Sequence, residues 1–267
     1  MRRSMSAPRV AAELNRVAGP PDPTCLAFSP FALNFDESLS PAVSPAMKID
    51  FVSDVSCPWC AIGLASLETA LERLGPEVPV TLHFQPFELN PQMAPEGEDT
   101  NEHIAKKYGM PEDQVQKNRE AIRQRGAAVG FTFNMDKRSR IYNTFDAHRL
   151  LHWADVLDDE QGTTGENALA LKHAFLKAYF TDGQDPSSHD TLVRYATDAG
   201  LDGEKAREVL ASGRYAAEVR EREQYYQQRG IHSVPAIIID DKHLISGGQP
   251  PEVFEQALRQ IAANPAA

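Results

Sequence analysis

The sequence predicts an α/β fold in which a small sheet, built from strands near both ends of the chain, is interrupted by a large all-helical block. Three observations predict it. Lys48 to Leu74 reads as strand, turn and helix: Ile49, Phe51 and Val52 make a short apolar run, and Leu64, Leu67, Leu71 and Leu74 recur at three- and four-residue steps. Ala236 to Ser246 reads as a hairpin, with Ile237 to Ile239 as a buried strand, Asp240-Asp241 as the turn and Lys242 to Ser246 as the return. Between them, Met93 to about Asp190 is almost wholly helical in pattern.

The chain has 267 residues, a formal charge of −11 and a pI near 5.2, which argue against a nucleic-acid or anionic-membrane partner. No apolar run approaches the length of a membrane span. Three cysteines are too few for a secreted disulfide framework. Residues 1–46 are rich in Pro, Ser and Ala without a sustained period, and are expected to be a disordered N-terminal extension. Glu13, Asn15 and Arg16 interrupt the only helical run there, so no targeting peptide is read and the compartment is taken as cytoplasmic. Met47 stands where a folded domain would start. It is either the natural initiator or the end of a dispensable extension, and Cys25 then has no role in the chemistry.

The first strand leads into Cys57-Pro58-Trp59-Cys60 at the start of the first helix. The first turn of a helix has unpaired N–H groups and the positive end of the macrodipole, so a thiolate at Cys57 is favoured over the thiol there. Pro58 suits the first helical position, where no N–H is needed. Cys60 lies one turn deeper and can close a disulfide with Cys57. The competing reading of C-x-x-C is half a zinc site, but structural zinc needs four ligands and the only other cysteine is Cys25. The spacing alone leaves redox and metal chemistry open.

Gly75-Pro76 ends that helix, and Val78 to Leu89 reads as a second strand in which Val80, Leu82 and Phe84 alternate with polar residues. If it runs parallel to the first, Pro86 to Pro91 ends near the dithiol, with Phe87 packing and Asn90 capping a turn. In the helical block, Pro111 to Ala128, Asn143 to Leu157 and Glu166 to Phe180 carry start and stop signals. Asn143 or Thr144 caps a helix. His148 and Arg149 are expected to pair with Asp146 or Asp155, and His152 and Trp153 to pack. Asp190 to Ala199, Glu204 to Leu210 and Tyr215 to Arg229 return the chain to the sheet, the last with a solvated charged face. Pro250 to Ile261 is the closing helix.

A proline opening a buried strand is unusual because it cannot donate to the ladder. A cis Val234-Pro235 bond would put a turn and an unpaired backbone edge beside the dithiol. The strand, the C-P-W-C helix start, the distant V-P before a hairpin and the last helix resemble the thioredoxin superfamily. Asn143 to Leu150, Ala178 to Gly183 and Ile245 to Pro250 resemble its DsbA-like branch, specifically the FrnE-type oxidoreductases.

That resemblance covers Met47 to about Ala262. It implies a thioredoxin-like fold divided as 47–92 with 190–262, and a helical insertion at 93–189. It implies a thiol–disulfide oxidoreductase in which Cys57 attacks, Cys60 resolves and Pro235 is the cis proline. Pro58, Trp59 and Val234 would meet a protein or small-molecule disulfide substrate. No cofactor and no metal are expected, with glutathione open as a co-substrate and either a monomer or a homodimer as the assembly. Two alternatives stand. Glutathione-dependent isomerases and kappa-type glutathione transferases resemble the chain in the insertion but use serine where Cys57 lies. In a non-catalytic binding module the dithiol would be vestigial.

Overall fold

The structure, a computed structural model, describes residues 46–264; Cys25 and the rest of residues 1–45 lie outside the described residues. In chain order, β1 (Met47–Ser53), α1 (Pro58–Leu74) and β2 (Val80–Pro86) come first. There follow β3 (Glu98–Asp99), α2 (Thr100–Tyr108), α3 (Glu112–Ala128), β4 (Arg140–Ile141), α4 (Phe145–Gln161) and α5 (Glu166–Phe180). The chain closes with α6 (His189–Asp198), α7 (Gly203–Ser212), α8 (Ala216–Gln228), β5 (Ala236–Ile239), β6 (His243–Ser246) and α9 (Pro251–Ala263).

The main sheet has the order β2-β1-β5-β6, with β1 parallel to β2 and antiparallel to β5. β1 is buried on both faces, which is why it reads as a nearly continuous apolar run. Ile49 and Phe51 join Leu64 and Leu67 of α1 in the main core. Val52, on the other face, packs with Tyr226, Ile231 and Ala236. Each such side chain contributes about 2 kcal/mol by leaving water. Phe51 stands opposite Phe84 in register, their rings edge-on at 5.9 Å.

Register decides where the site can form. Ser53 pairs with Pro86, so β1 and β2 end level, and Val52 pairs with Ala236, so β5 begins at that same end. Three loops therefore meet there: Asp54 to Cys57, Phe87 to Asn90, and Val234-Pro235.

The block between β2 and α6 is helical apart from the two-residue antiparallel pair β3 and β4. Side-chain caps fix several helix starts: Asp99 accepts the N–H groups of Asn101 and Glu102 at 2.9 and 3.1 Å, and Asp202 accepts those of Glu204 and Lys205 at 2.9 and 3.2 Å. α4 and α5 pack on each other and on β2. The helices expected after residue 189 are present and pack on the block before them. α6 packs on α5 and α7 on α4, because Leu192, Val193, Val209 and Leu210 turn apolar faces into the same core.

Candidate active site

Cys57 occupies the N-cap of α1 with extended backbone, φ −92° and ψ 114°, and Pro58 takes the first helical position. Both Cys57 and Cys60 are free thiols, with 4% and 0% of their surface exposed. As a thiol, Cys57 donates to the Val234 carbonyl at 3.7 Å, and the Val234–Pro235 peptide is cis. Pro58, Trp59 and Val234 are half-buried around the sulfur, whereas Pro235 is buried. The structure thus brings together all six residues that the sequence singles out.

Close approach at this turn depends on two glycines. A Cβ on Gly63 would lie 3.1 Å from Pro235 Cγ and 3.2 Å from Gly248 Cα, and one on Gly248 would meet the Trp59 carbonyl oxygen at 2.8 Å. The helical block covers the rim: the Arg125 guanidinium of α3 lies 5.4 Å from the centre of the Trp59 ring. Lys107 of α2 donates to the Leu89 carbonyl at 2.8 Å and to Asn90 Oδ1 at 2.7 Å. Asn90 thus ties the loop to α2, and Phe87 packs on the Val52 cluster.

The two sulfurs are electrostatically unlike. The Cys57 thiol is held below its ordinary pKa chiefly because Cys60 donates to its thiolate; burial opposes this, and the N–H groups of Cys60 and Trp59 assist. Cys60 is pushed well above its ordinary value by burial first, then by its donation to Cys57 and by the charge there. One sulfur is prepared to be a thiolate and the other to remain a thiol.

Beside the dithiol lies a set of buried charges that sequence reasoning missed. Asp54, fully buried, accepts the N–H groups of Ser56 at 3.0 Å and Leu89 at 2.7 Å. Burial pushes its carboxyl up, but His148 and the two N–H groups outweigh that and hold it below the usual carboxylate value. The separation from His148 Nε2 to Asp54 Oδ1 is 3.8 Å, an electrostatic contact too long for a hydrogen bond. Arg149 does pair with Asp146, at 2.7 Å, but the buried His148 turns to Asp54 instead.

Further out, Arg220 of α8 bridges the buried carboxylates of Glu88 and Glu223. The face expected to be solvated is therefore partly engaged with the β2 loop. Lys172 of α5 has no exposed surface. Its signal was available, since Ala168, Phe175 and Tyr179 lie at helical steps from it on the buried side of α5.

Among the described residues no group of three or more His, Cys, Asp or Glu side chains could hold a metal ion. A groove of about 360 Å³ runs along α1, lined by Ile62, Ser66, Thr69, Arg125, Gly248 and Gln249 among others, next to the Trp59 turn. A larger cavity of about 710 Å³ lies between α4 and α7, and neither hollow is lined by Cys57 or Cys60. No helix among the described residues is long and apolar enough to cross a membrane.

Comparison with known proteins places these features among relatives. The model of the DSBA-like thioredoxin domain family matches residues 48–259. The crystal structure of a probable DsbA oxidoreductase from Streptomyces coelicolor is similar at 36% identity and a TM-score of 0.70, over 82% of this chain and 91% of that one. The uncharacterized protein YwbO of Bacillus subtilis is 28% identical over 213 residues, 79% of this chain and 96% of its own. The cytosolic disulfide reductase DsbM of Pseudomonas aeruginosa, in a structure with glutathione, shares the fold at 18% identity and a TM-score of 0.53, over 80% of this chain and 98% of its own.

Proposed function

The chain belongs to the DSBA-like thioredoxin domain family, and from that premise we propose that it is a thiol–disulfide oxidoreductase working through a Cys57/Cys60 dithiol–disulfide couple. One observation carries this reading: Cys57 and Cys60 are buried free thiols at the start of α1, with Cys57 at the N-cap beside the Val234 carbonyl, 3.7 Å away; the opposite shifts of the two thiols, Cys57 down and Cys60 up, agree with it. A vestigial dithiol in a binding module needs no such asymmetry. The isomerase and transferase reading is disfavoured by the cysteine at position 57.

The Cys57 thiolate attacks one sulfur of a substrate disulfide; a bond forms between Cys57 and that sulfur while the other sulfur leaves as a thiolate and takes a proton from solvent. Cys60 then loses its proton and attacks Cys57 Sγ, which closes the Cys57–Cys60 disulfide and releases the second substrate thiol. The substrate gains two electrons and the dithiol loses them; oxidation of a substrate dithiol is the reverse. Trp59, Pro58 and the Val234 carbonyl receive the substrate, and Pro235 shapes the edge at which it lies. Protein disulfides and small disulfides are the substrate class. Glutathione is the co-substrate, a choice supported by the structure of the fold relative DsbM with that thiol. A cytoplasmic setting and an FrnE-type assignment belong to the same proposal.

The test pairs two variants with insulin or a small disulfide as substrate. Cys57→Ser is expected to abolish turnover, and Cys60→Ser to accumulate a mixed disulfide with the substrate, seen by mass. Ordinary reduction by Cys57→Ser would overturn the proposal.

A further inference from the structure

Ser66 carries a buried hydroxyl without a partner. The residue is 1% exposed, and its Oγ meets no donor or acceptor among the described residues. Thr69, on the same helix, returns its hydroxyl to the Ala65 carbonyl at 2.9 Å, the usual resort of such a group. Ser66 instead lines the groove of about 360 Å³ along α1 with its hydroxyl unused. A buried hydroxyl left unpaired costs stability, and a ligand that pairs it removes that penalty.

The groove is continuous with the dithiol turn. Trp59, Ile62, Ser66 and Thr69 follow one another at steps of three and four residues, so they share one face of α1. Two residues that line the groove also reach Trp59. The Arg125 guanidinium lies 5.4 Å from the centre of the ring, and a Cβ on Gly248 would lie 2.8 Å from the Trp59 carbonyl oxygen. Charge along the groove is uneven. Arg73 is paired with Glu252 at 3.0 Å, and Glu120 of α3 is engaged by Arg123 at 2.6 Å and by Gln124 at 2.7 Å. Arg125 is exposed and has no carboxylate within salt-bridge distance among the described residues. The groove thus presents a free cation beside Trp59 and, about 10 Å further along the helix, a free hydroxyl. An extended peptide covers that length in about three residues.

We propose that the α1 groove binds an acidic segment of a protein or peptide disulfide substrate, extended from the reacting cysteine, with a carboxylate near that cysteine held by Arg125 and a main-chain amide further along met by the Ser66 hydroxyl. The inference rests on the proposed dithiol couple and deepens it by naming the substrate class. A guanidinium–carboxylate pair is charge-assisted and, in its best geometry, bidentate, so it selects Glu or Asp over Gln or Asn. The Ser66 hydroxyl donates to a carbonyl or accepts from an N–H, so it holds the main chain whatever the side chain. Arg125 is then the specificity residue that the helical block brings to the dithiol.

The test uses the whole reduced protein and two synthetic peptides, each with one cysteine held as a mixed disulfide with 2-thiopyridine. They differ only in carrying Glu or Gln within three positions of that cysteine on both sides. The Cys57 thiolate attacks the peptide sulfur, the thiopyridine sulfur leaves and takes a proton from solvent, and the absorbance of the 2-thiopyridone gives the rate. Wild type is expected to prefer the Glu peptide about tenfold at low salt, and added salt to shrink the preference. Arg125→Gln is expected to bring the ratio near one, and Arg125→Glu to make the Glu peptide the slower. Ser66→Ala is expected to raise the half-saturating concentration of both peptides about threefold without lowering the urea midpoint, whereas a merely structural hydroxyl would lower the midpoint and leave saturation unchanged. A wild type without preference, or a preference that survives Arg125→Gln, overturns the inference. Oxidised glutathione, which also carries carboxylates, is the control for small disulfides: if Arg125→Gln slows it as much as the Glu peptide and Ser66→Ala affects neither peptide, the assignment to peptides is overturned. A Cys57 that reacts with neither peptide overturns the proposed function and the inference with it, whereas equal rates for the two leave the proposed function standing.

Discussion

Asp54 and His148 face one another across 3.8 Å with 1% and 2% of their side-chain surfaces exposed, three residues before Cys57 in one case and on a helix of the inserted block in the other. Their meeting joins the block to the loop that carries the dithiol. The two backbone N–H groups that Asp54 accepts hold the loop in register with the end of β2.

Asp54→Asn is expected to act in two ways. The carboxylate charge works against the Cys57 thiolate, so its removal lowers the Cys57 thiol pKa, which ultraviolet absorbance of the thiolate reads directly. An amide oxygen can replace only part of the acceptor capacity used by Ser56 and Leu89, so stability at neutral pH falls by about 2 kcal/mol. The folded Asp54 pKa is below its unfolded value; its stabilisation is therefore present above about pH 4 and lost as pH falls through the lower, folded pKa. Urea midpoints of wild type should drop there more than those of the variant.

Gly63→Ala should reverse a usual sign. In an exposed helix interior, alanine is about 1 kcal/mol better than glycine. Here the added methyl meets Pro235 Cγ and Gly248 Cα at 3.1 and 3.2 Å, both tighter than ordinary contact. We expect a loss of about 1 to 3 kcal/mol and slower disulfide turnover, because the loop that must yield carries Val234 and Pro235. A stabilised variant with unchanged turnover would show that the loop gives way freely.

Legibility in the sequence followed the range of the interaction. The dithiol at the helix start, the parallel neighbour and the V-P hairpin were all readable, because each is fixed by a few adjacent residues and a short periodicity. Expected Glu166 to Phe180 and observed α5 coincide. β3 and β4 were not readable, since two residues carry no alternation. Nor was the destination of His148: near in sequence to Asp146 and Asp155, it instead turns to a carboxylate 94 positions away, and only packing of α4 against β2 brings it there. Lys172 was missed differently: its place on the apolar stripe of α5 was visible in the spacing, but a lone lysine was read as one more surface charge.

Arg220→Met would strand two carboxylates at once. Glu88 and Glu223 are both buried, and Arg220 is the cation that bridges them. Burial already raises the Glu88 pKa above the ordinary carboxylate value, with Arg220 pulling it back and Glu223 adding to the rise. Loss of the guanidinium removes that restraint, and stability at neutral pH should fall by about 3 kcal/mol. Because protonation relieves the repulsion, the variant is expected to recover part of the loss in mildly acidic buffer. Glu88→Gln in the Arg220→Met background should recover part of it at neutral pH. A thermal scan of the single and double variants at two pH values checks both.

Lys172→Met is expected to make the reduced protein more stable, because burial lowers the Lys172 pKa against the pull of Cys60, Asp54 and Cys57. The ordinary lysine value of 10.5 applies to the unfolded chain and about 8 to the folded one. The folded state thus binds fewer protons between those values, so wild-type stability rises with pH across that window, and below it the full cost of the buried ammonium is present. That cost is about 3 kcal/mol at pH 7. Methionine fills a similar volume in apolar surroundings without the charge. The urea midpoint of the reduced variant should therefore exceed that of wild type at neutral pH, and the gap should narrow towards about pH 10 as the folded wild-type lysine sheds its proton. A wild type that stays the more stable at neutral pH would mean that the ammonium is compensated by an interaction beyond Cys60, Asp54 and Cys57.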